Sequence, residues 1–282
     1  MSIDECYTFK QYKYTDGIFE DSIDATYIIY LQGSTRISNI FKQLESYHPT
    51  NIVYILMNKG YKDCKKSLMN NTTYSDLVDA NMRIFQHAQQ NEYSNILILE
   101  DDFIFSKEIK SSSHIDNIST FLLDNKDSNF IYQLGCAPIL SIPYNSYTYL
   151  TLSWASHANI YSSKATQILL DDYASNKING HIDAYIISNI FTKFNIYMYY
   201  IPLCYQVYTY TDNSATWVSP GPLKSIKVFF IQFFLWLLRL DKTPEPGTSI
   251  LYTISKLLLL LIIILAVYIG FIATKYIKKN RV

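Results

Sequence analysis

Three consecutive carboxylates, Glu100, Asp101 and Asp102, stand between two apolar runs, ILIL at 96–99 and FIF at 103–105. The run Ile96–Leu99 has the continuous apolar character of a strand buried on both faces of an α/β sheet. Such a strand ordinarily gives way to Gly, Asn or Ser, which turn the chain with little strain. Adjacent negative charges between buried segments repel one another and are costly to desolvate. A hard divalent cation, Mg²⁺ or Mn²⁺, relieves both penalties and shares its oxygen ligands with substrate phosphates. The chemistry expected here is metal–diphosphate binding at the carboxyl end of a strand, where open α/β sheets place their ligands. A solvated acidic turn accounts for the same residues without any ligand.

The elements around this strand alternate. Thr26–Leu31 is expected as a strand, followed by a loop and helix over 33–47 capped by Ser34 or Thr35. A second strand covers 51–58, a helix 75–91, the acidic strand 96–102, a helix 115–126 and a fourth strand 129–136. Then come a Pro/Tyr loop, a short strand 147–152, helices 163–173 and 183–194, and a last strand 196–201. Strand–helix alternation of this kind argues for an α/β sandwich with a largely parallel sheet. Residues 1–24 read as an N-terminal extension to a domain spanning 25–222.

Composition narrows the function classes. The 24 Lys and Arg residues balance 24 Asp and Glu, so no basic field suggests nucleic acid as a partner. With 26 Tyr and 15 Phe, single aromatic residues are weak functional signals. Cys6, Cys64, Cys136 and Cys204 are scattered, show no zinc spacing and do not form a dense disulfide framework. The polar N-terminus has no apolar core of a signal peptide. A reduced, cytosolic setting for the domain is the resulting expectation.

The carboxyl-terminal part is of another kind. Ile250–Ala273 is almost wholly apolar, with one charge, Lys256. Hydrocarbon about 30 Å thick needs roughly 20 such residues, so 250–274 is expected to be a transmembrane helix followed by a basic tail, 275–282. An earlier apolar stretch, 223–240, has an uncharged core too short to span, flanked by Lys224, Lys227 and Arg239. It fits an amphipathic helix lying in the membrane interface, or a terminal helix packed on the domain. The segment 241–249, with two prolines and a glycine, is the expected linker. Orientation has two opposed indications. The basic tail favours the cytosol, while a span emerging last in translation resembles a tail anchor with a cytosolic domain; the second is the expectation. The sequons at Asn70, Asn71 and Asn117 would matter only in the opposite case.

Five segments, taken in order, carry a resemblance. YIIYLQGSTR (27–36), ANMRIFQHAQQNEYSNILILEDDF (80–103), SWASHANIYSSKATQILL (153–170), NGHIDAYII (179–187) and YYIPLCYQ (199–206) resemble glycosyltransferase family 25 over about residues 25–217. That family includes bacterial lipopolysaccharide sugar transferases and collagen galactosyltransferases. The resemblance implies a GT-A type fold, a nucleotide-sugar donor, and a glycan, lipid-linked or glycoprotein acceptor. It implies inverting transfer, in which an acceptor hydroxyl attacks the anomeric carbon directly and needs a general base. Asp102 is then the first choice for a direct Mn²⁺ or Mg²⁺ ligand. Asp101 would bind through water or the ribose, and Glu100 would orient the loop.

Asp183 matches the family's base, with His181 as a helper; a first-turn carboxylate is also favoured there for structural reasons alone. Arg36 would contact the donor pyrophosphate, His157 would face the cleft, and Gln206 closes the set. The helix before the acidic strand lacks the Ser-His of many members, showing Asp79-Ala80-Asn81-Met82, and Tyr30-Leu31 replaces the usual Asn-Leu. These departures leave donor identity open. The alternative is a non-catalytic, membrane-anchored binding or structural protein on the same fold.

Overall fold

The computed structural model describes residues 3–208 and 224–279. The expected domain limit at 222, the start of the apolar stretch at Leu223, the end of the family resemblance at Trp217 and the last tail residues, including Arg281, lie outside them.

The first element is β1 (Tyr7–Lys13), which pairs antiparallel with β3 (Ile52–Asn58). The N-terminus is therefore part of the sheet rather than an extension. β2 (Ala25–Leu31) runs parallel to both β3 and β4 (Asn95–Glu100). β5 (Ile104–Phe105) follows the acidic turn, β6 (Phe130–Pro143) and β7 (Thr148–Ser162) form a long hairpin, and β8 (Asn195–Tyr199) runs parallel to β6. β9 (Cys204–Tyr205) pairs with β5 in a separate two-stranded ladder. The main sheet has the order β1-β3-β2-β4-β7-β6-β8. It is a mixed α/β sheet with parallel parts at β3-β2-β4 and β6-β8, interrupted by antiparallel β7.

The expected Pro/Tyr loop and short strand are instead the β6–β7 hairpin. Pro138 and Pro143 are tolerated because β6 loses its second partner beyond Gln133, where the β8 pairing ends.

Helices cover both faces. On one side α1 (Ile37–Ser46) and α3 (Ser112–Asp124) pack Ile40, Leu44, Ile118 and Phe121 against Ile28, Val53, Leu97 and Leu99. On the other, α2 (Thr73–Gln90), α4 (Ser163–Ala174) and α5 (Ile182–Ser188) pack Phe85, Leu169 and Ile186 against Tyr27, Ile29, Ile96 and Ile98. Successive strand residues thus feed opposite cores, as the two-residue period of a strand requires. α5 is shorter than the expected 183–194. It is capped by Asn189, whose side chain donates to Tyr185 O at 2.9 Å, and Phe191 then adopts a left-handed φ of 64°.

Cys6 and Cys64 form a disulfide, contrary to the expectation of reduced, unpaired cysteines. The register Tyr7↔Asn58 and the bond from Lys59 N to Cys6 O bring residues 58 apart in sequence to one sheet edge. Beside it, the wholly buried Lys66 side chain is held by Asp76 and Asn58. Cys136 and Cys204 are buried and not disulfide-bonded.

A second ionic cluster ties α4 to the turn after α5. Asp172 accepts from Lys177 (3.1 Å), Lys193 (2.8 Å) and Tyr185 (2.6 Å). Burial alone would raise its pKa, but these donors hold the carboxyl below the ordinary aspartate value. A depressed folded-state pKa contributes stability above the unfolded value and loses it as pH falls through the folded one. Asp172→Asn is therefore expected to lower the melting temperature at pH 7. The gap from the unmodified protein should narrow below pH about 4, measured as melting temperature against pH.

α6 (Lys224–Leu237) exposes Phe229, Phe230, Phe233, Phe234 and Trp236, and Gln232 is the sole polar residue between Val228 and Leu237. α7 (Gly247–Lys279) contains a stretch, Gly247–Tyr276, of 30 residues that is long and apolar enough to cross a membrane. Its first turns belong to the domain. Tyr252 is buried against Cys136 and Met198, Ser255 Oγ lies 2.8 Å from Ser141 Oγ, and Lys256 Nζ donates to Tyr200 O at 2.6 Å. The largely exposed 20 residues from Leu257 to Tyr276 still suffice for the hydrocarbon, since about 20 are needed.

Candidate active site

The carboxyl ends of the parallel strands β2 and β4 meet at one edge of the sheet, with Ile29 opposite Glu100. Beyond Glu100 the chain turns, with Phe103 N bonded back to Glu100 O at 3.2 Å. Phe103 and Phe105 are buried, so the turn between them and β4 has little freedom. Pairing of β5 with β9 then brings Gln206 against this turn. Its Nε2 donates to Asp102 Oδ1 (3.1 Å) and Oδ2 (3.0 Å), and more weakly to Glu100 Oε2 (3.5 Å).

Arg36 arrives from the loop after β2 as the residue preceding α1. Neither expected cap bonds a helix amide. Ser34 Oγ accepts from Arg36 N (3.2 Å) instead, which orients the arginine rather than the helix. One guanidinium nitrogen lies 2.7 Å from Asp101 Oδ1 and 3.1 Å from Asp102 Oδ2. Arg36, Asp101, Asp102 and Gln206, 170 residues apart at the extremes, thus form one cluster.

Glu100 joins this cluster to a cleft on the neighbouring side. Ile29, Leu77, Ile98 and Ile182 form the aliphatic part of its lining. Polar groups come from Asn81 on α2, His157 and Asn159 on β7, and His181 and Asp183 at the start of α5. Tyr74 and Tyr161 add aromatic surface, and the His181 ring lies tilted against Tyr74 at 4.9 Å between centroids. His157 is buried, its Nε2 3.2 Å from Cys204 O. That approach requires glycine at 135, because a Cβ there would sit 2.1 Å from Cys204 O and 2.4 Å from His157 Nε2.

The structure therefore places the expected residues in two adjoining groups. One is Arg36, Asp101, Asp102 and Gln206; the other is His157, His181 and Asp183, with Glu100 between them. Tyr74, Asn81, Asn159 and Tyr161 were not singled out by the sequence reading. The alternation His157-Asn159-Tyr161 along one face of β7 was the available signal.

Electrostatics single out Glu100. Its carboxyl is pushed well above the ordinary range by burial and by repulsion from Asp102, Asp183 and Asp101, with Arg36 opposing. Asp101 is raised by burial despite its bond to Arg36. The Arg36 guanidinium is held charged by these carboxylates although burial opposes it.

The donor set is hard oxygen, as Mg²⁺ or Mn²⁺ requires. Among the described residues no three His, Cys, Asp or Glu side chains converge as a closed metal cage. The arrangement suits an open site, in which one or two carboxylates hold the ion and phosphate or water oxygens complete its coordination.

No family model matches the chain. No curated protein sequence matches it. Among solved structures, a glycosyltransferase involved in the glycosylation of the major capsid of PBCV-1 is 11% identical. That match covers 61% of this chain and 80% of its own, with a TM-score of 0.37. Mannose-1-phosphate geranyltransferase from Thermus thermophilus is 9% identical over 62% of this chain and 72% of its own, with a TM-score of 0.36. Both likenesses are partial and distant.

Proposed function

We propose that this protein is a membrane-anchored, metal-dependent, inverting glycosyltransferase. It would transfer a sugar from a nucleoside-diphosphate donor to a hydroxyl of a glycan, lipid-linked or protein acceptor. The observation that carries this reading is the convergence of Arg36, Asp101, Asp102 and Gln206 at the carboxyl ends of parallel strands, beside a cleft that contains Asp183.

In this reading Asp102 is the direct ligand of Mn²⁺ or Mg²⁺, and Asp101 assists through water or the ribose. When bound, the ion neutralises charge developing on the departing nucleoside diphosphate. Arg36 is placed to share that task, because its guanidinium presents several donors in a fixed fork that matches phosphate oxygens. Gln206 orients the Asp102 carboxylate through both oxygens. Asp183 takes the proton of the attacking acceptor hydroxyl, in the cleft that the donor sugar would share. Glu100 stands between the two groups and orients the acidic turn; burial and its carboxylate neighbours favour its neutral form.

The test is thermal stabilisation of the full chain in detergent by a panel of nucleoside-diphosphate sugars, with and without Mn²⁺. A protein cut after residue 222 would lose Tyr252 and Ser255 and uncover Cys136 and Met198, so the anchor is retained. A donor at about 100 times its Kd stabilises by about 2.7 kcal/mol. The expected result is a Mn²⁺-dependent shift for one donor class. No shift with any donor would favour a non-catalytic binding protein.

A further inference from the structure

The disulfide, the charge around α7 and the sequons bear on one question that the transfer chemistry leaves open. The Cys6–Cys64 bond joins the N-terminus to the segment leading into α2. Such bonds form and persist in oxidising compartments and are rare where glutathione keeps thiols reduced. Within about 20 residues of the exposed span, the domain side carries Arg239, Lys242 and Lys256, and the far end carries Lys275, Lys278, Lys279 and Arg281. An excess of Lys and Arg beside a span favours the cytosolic side. The disulfide is the main argument for a domain across the membrane from the cytosol, and the small excess of Lys and Arg at the far end agrees with it.

The sequons are not equivalent once the fold is known. Asn70 and Asn71 are both exposed in the irregular segment that ends at Thr72, the cap of α2. Thr72 and Thr73 supply the hydroxyl two residues on from each. Asn117 lies within α3, is half-buried, and its Nδ2 donates to Tyr199 Oη at 3.3 Å.

We infer that the domain faces the non-cytosolic side of its membrane and carries one N-linked glycan, at Asn70 or Asn71 and not at Asn117. The carboxamide nitrogen of the acceptor asparagine attacks the anomeric carbon of an oligosaccharide carried on a lipid diphosphate. The C–N bond forms, the C–O bond to the diphosphate breaks, the lipid diphosphate departs with the bonding pair, and the amide proton passes to a base of the transferring enzyme. The disulfide arises when two thiols give up two protons and two electrons to the disulfide of a resident oxidoreductase, which leaves as a dithiol.

The experiment expresses the full chain in eukaryotic cells and isolates sealed microsomes. Three properties are read: digestion of the domain by added protease, the mobility shift on removal of N-glycans by endoglycosidase, and alkylation of Cys6 and Cys64 before and after reduction. The expected result is a protected domain, a shift of one glycan, and two cysteines that alkylate only after reduction. The shift should vanish in Asn70→Gln/Asn71→Gln and persist in Asn117→Gln. Both Asn70 and Asn71 side chains are exposed, so the double variant is expected to fold, and its melting temperature checks this. A domain digested in sealed microsomes, with cysteines alkylated without reductant, overturns the orientation. A protected domain without a glycan, or with one lost only in Asn117→Gln, overturns the site.

Discussion

Asp102→Asn is expected to lower kcat/KM for sugar transfer on the order of 10³-fold, while the melting temperature without ligand changes little. Asparagine is isosteric and keeps an oxygen for Gln206, so the turn between β4 and β5 should persist. What it loses is the charge that would hold a divalent ion against a diphosphate. Gln206→Ala acts chiefly through the position of that carboxylate, so a loss of about 10–100-fold is expected, recovered in part by higher Mn²⁺ concentration. Arg36→Ala should weaken donor binding and also free Asp101 and Asp102 from their nearest cation. Initial rates across a Mn²⁺ series separate these effects. Equal rates for Asp102→Asn and the unmodified protein would remove the acidic turn from the chemistry.

Breaking the Cys6–Cys64 bond is expected to cost the domain about 4 kcal/mol, from the loop-closure entropy of a cross-link between residues 58 apart. For a domain of this size that corresponds to a fall of roughly 10 °C in melting temperature. The effect should reach the cleft as well. Loss of the bond releases the segment that seats Lys66 against Asp76 in the first turn of α2, and the residues on either side of Asp76 in that turn, Tyr74 and Leu77, line the cleft. Melting curves of Cys6→Ser/Cys64→Ser with and without reductant make the check. The double variant should melt low and ignore reductant, whereas the unmodified protein should fall to the same value when reduced. Identical curves for all four would mean that the bond does not constrain the unfolded chain.

How far the sequence foretold this structure depended on which signal each element left. The strand β4 and its acidic end were legible because the apolar run and the three charges are contiguous. β1 was not, since YTFKQYK pairs on one edge only and so needs few apolar residues. The disulfide was missed for the same reason, as it exists only because β1 pairs with β3. Pro138 and Pro143 suggested a loop where β6 continues, because a proline is read as a breaker unless the strand is known to have a free side.

In the site, Glu100, Asp101 and Asp102 were found from charge and burial alone. Arg36, Asp183 and Gln206 rested on the family resemblance, and the structure sets Arg36 and Gln206 directly on the acidic turn. Asn159 and Tyr161 were marked only by their alternation with His157 on β7, and Asn81 by its place on α2, spacings that ordinary packed positions share.

The most direct test of the central claim is anomalous diffraction from crystals of the protein grown with Mn²⁺ and a nucleoside diphosphate. The account predicts a manganese peak at bonding distance from an Asp102 oxygen and from diphosphate oxygens, with the nucleotide at the ends of β2 and β4. A nucleotide bound elsewhere, or one seated at this turn with Arg36 still bridging Asp101 and Asp102 and no manganese, would contradict it.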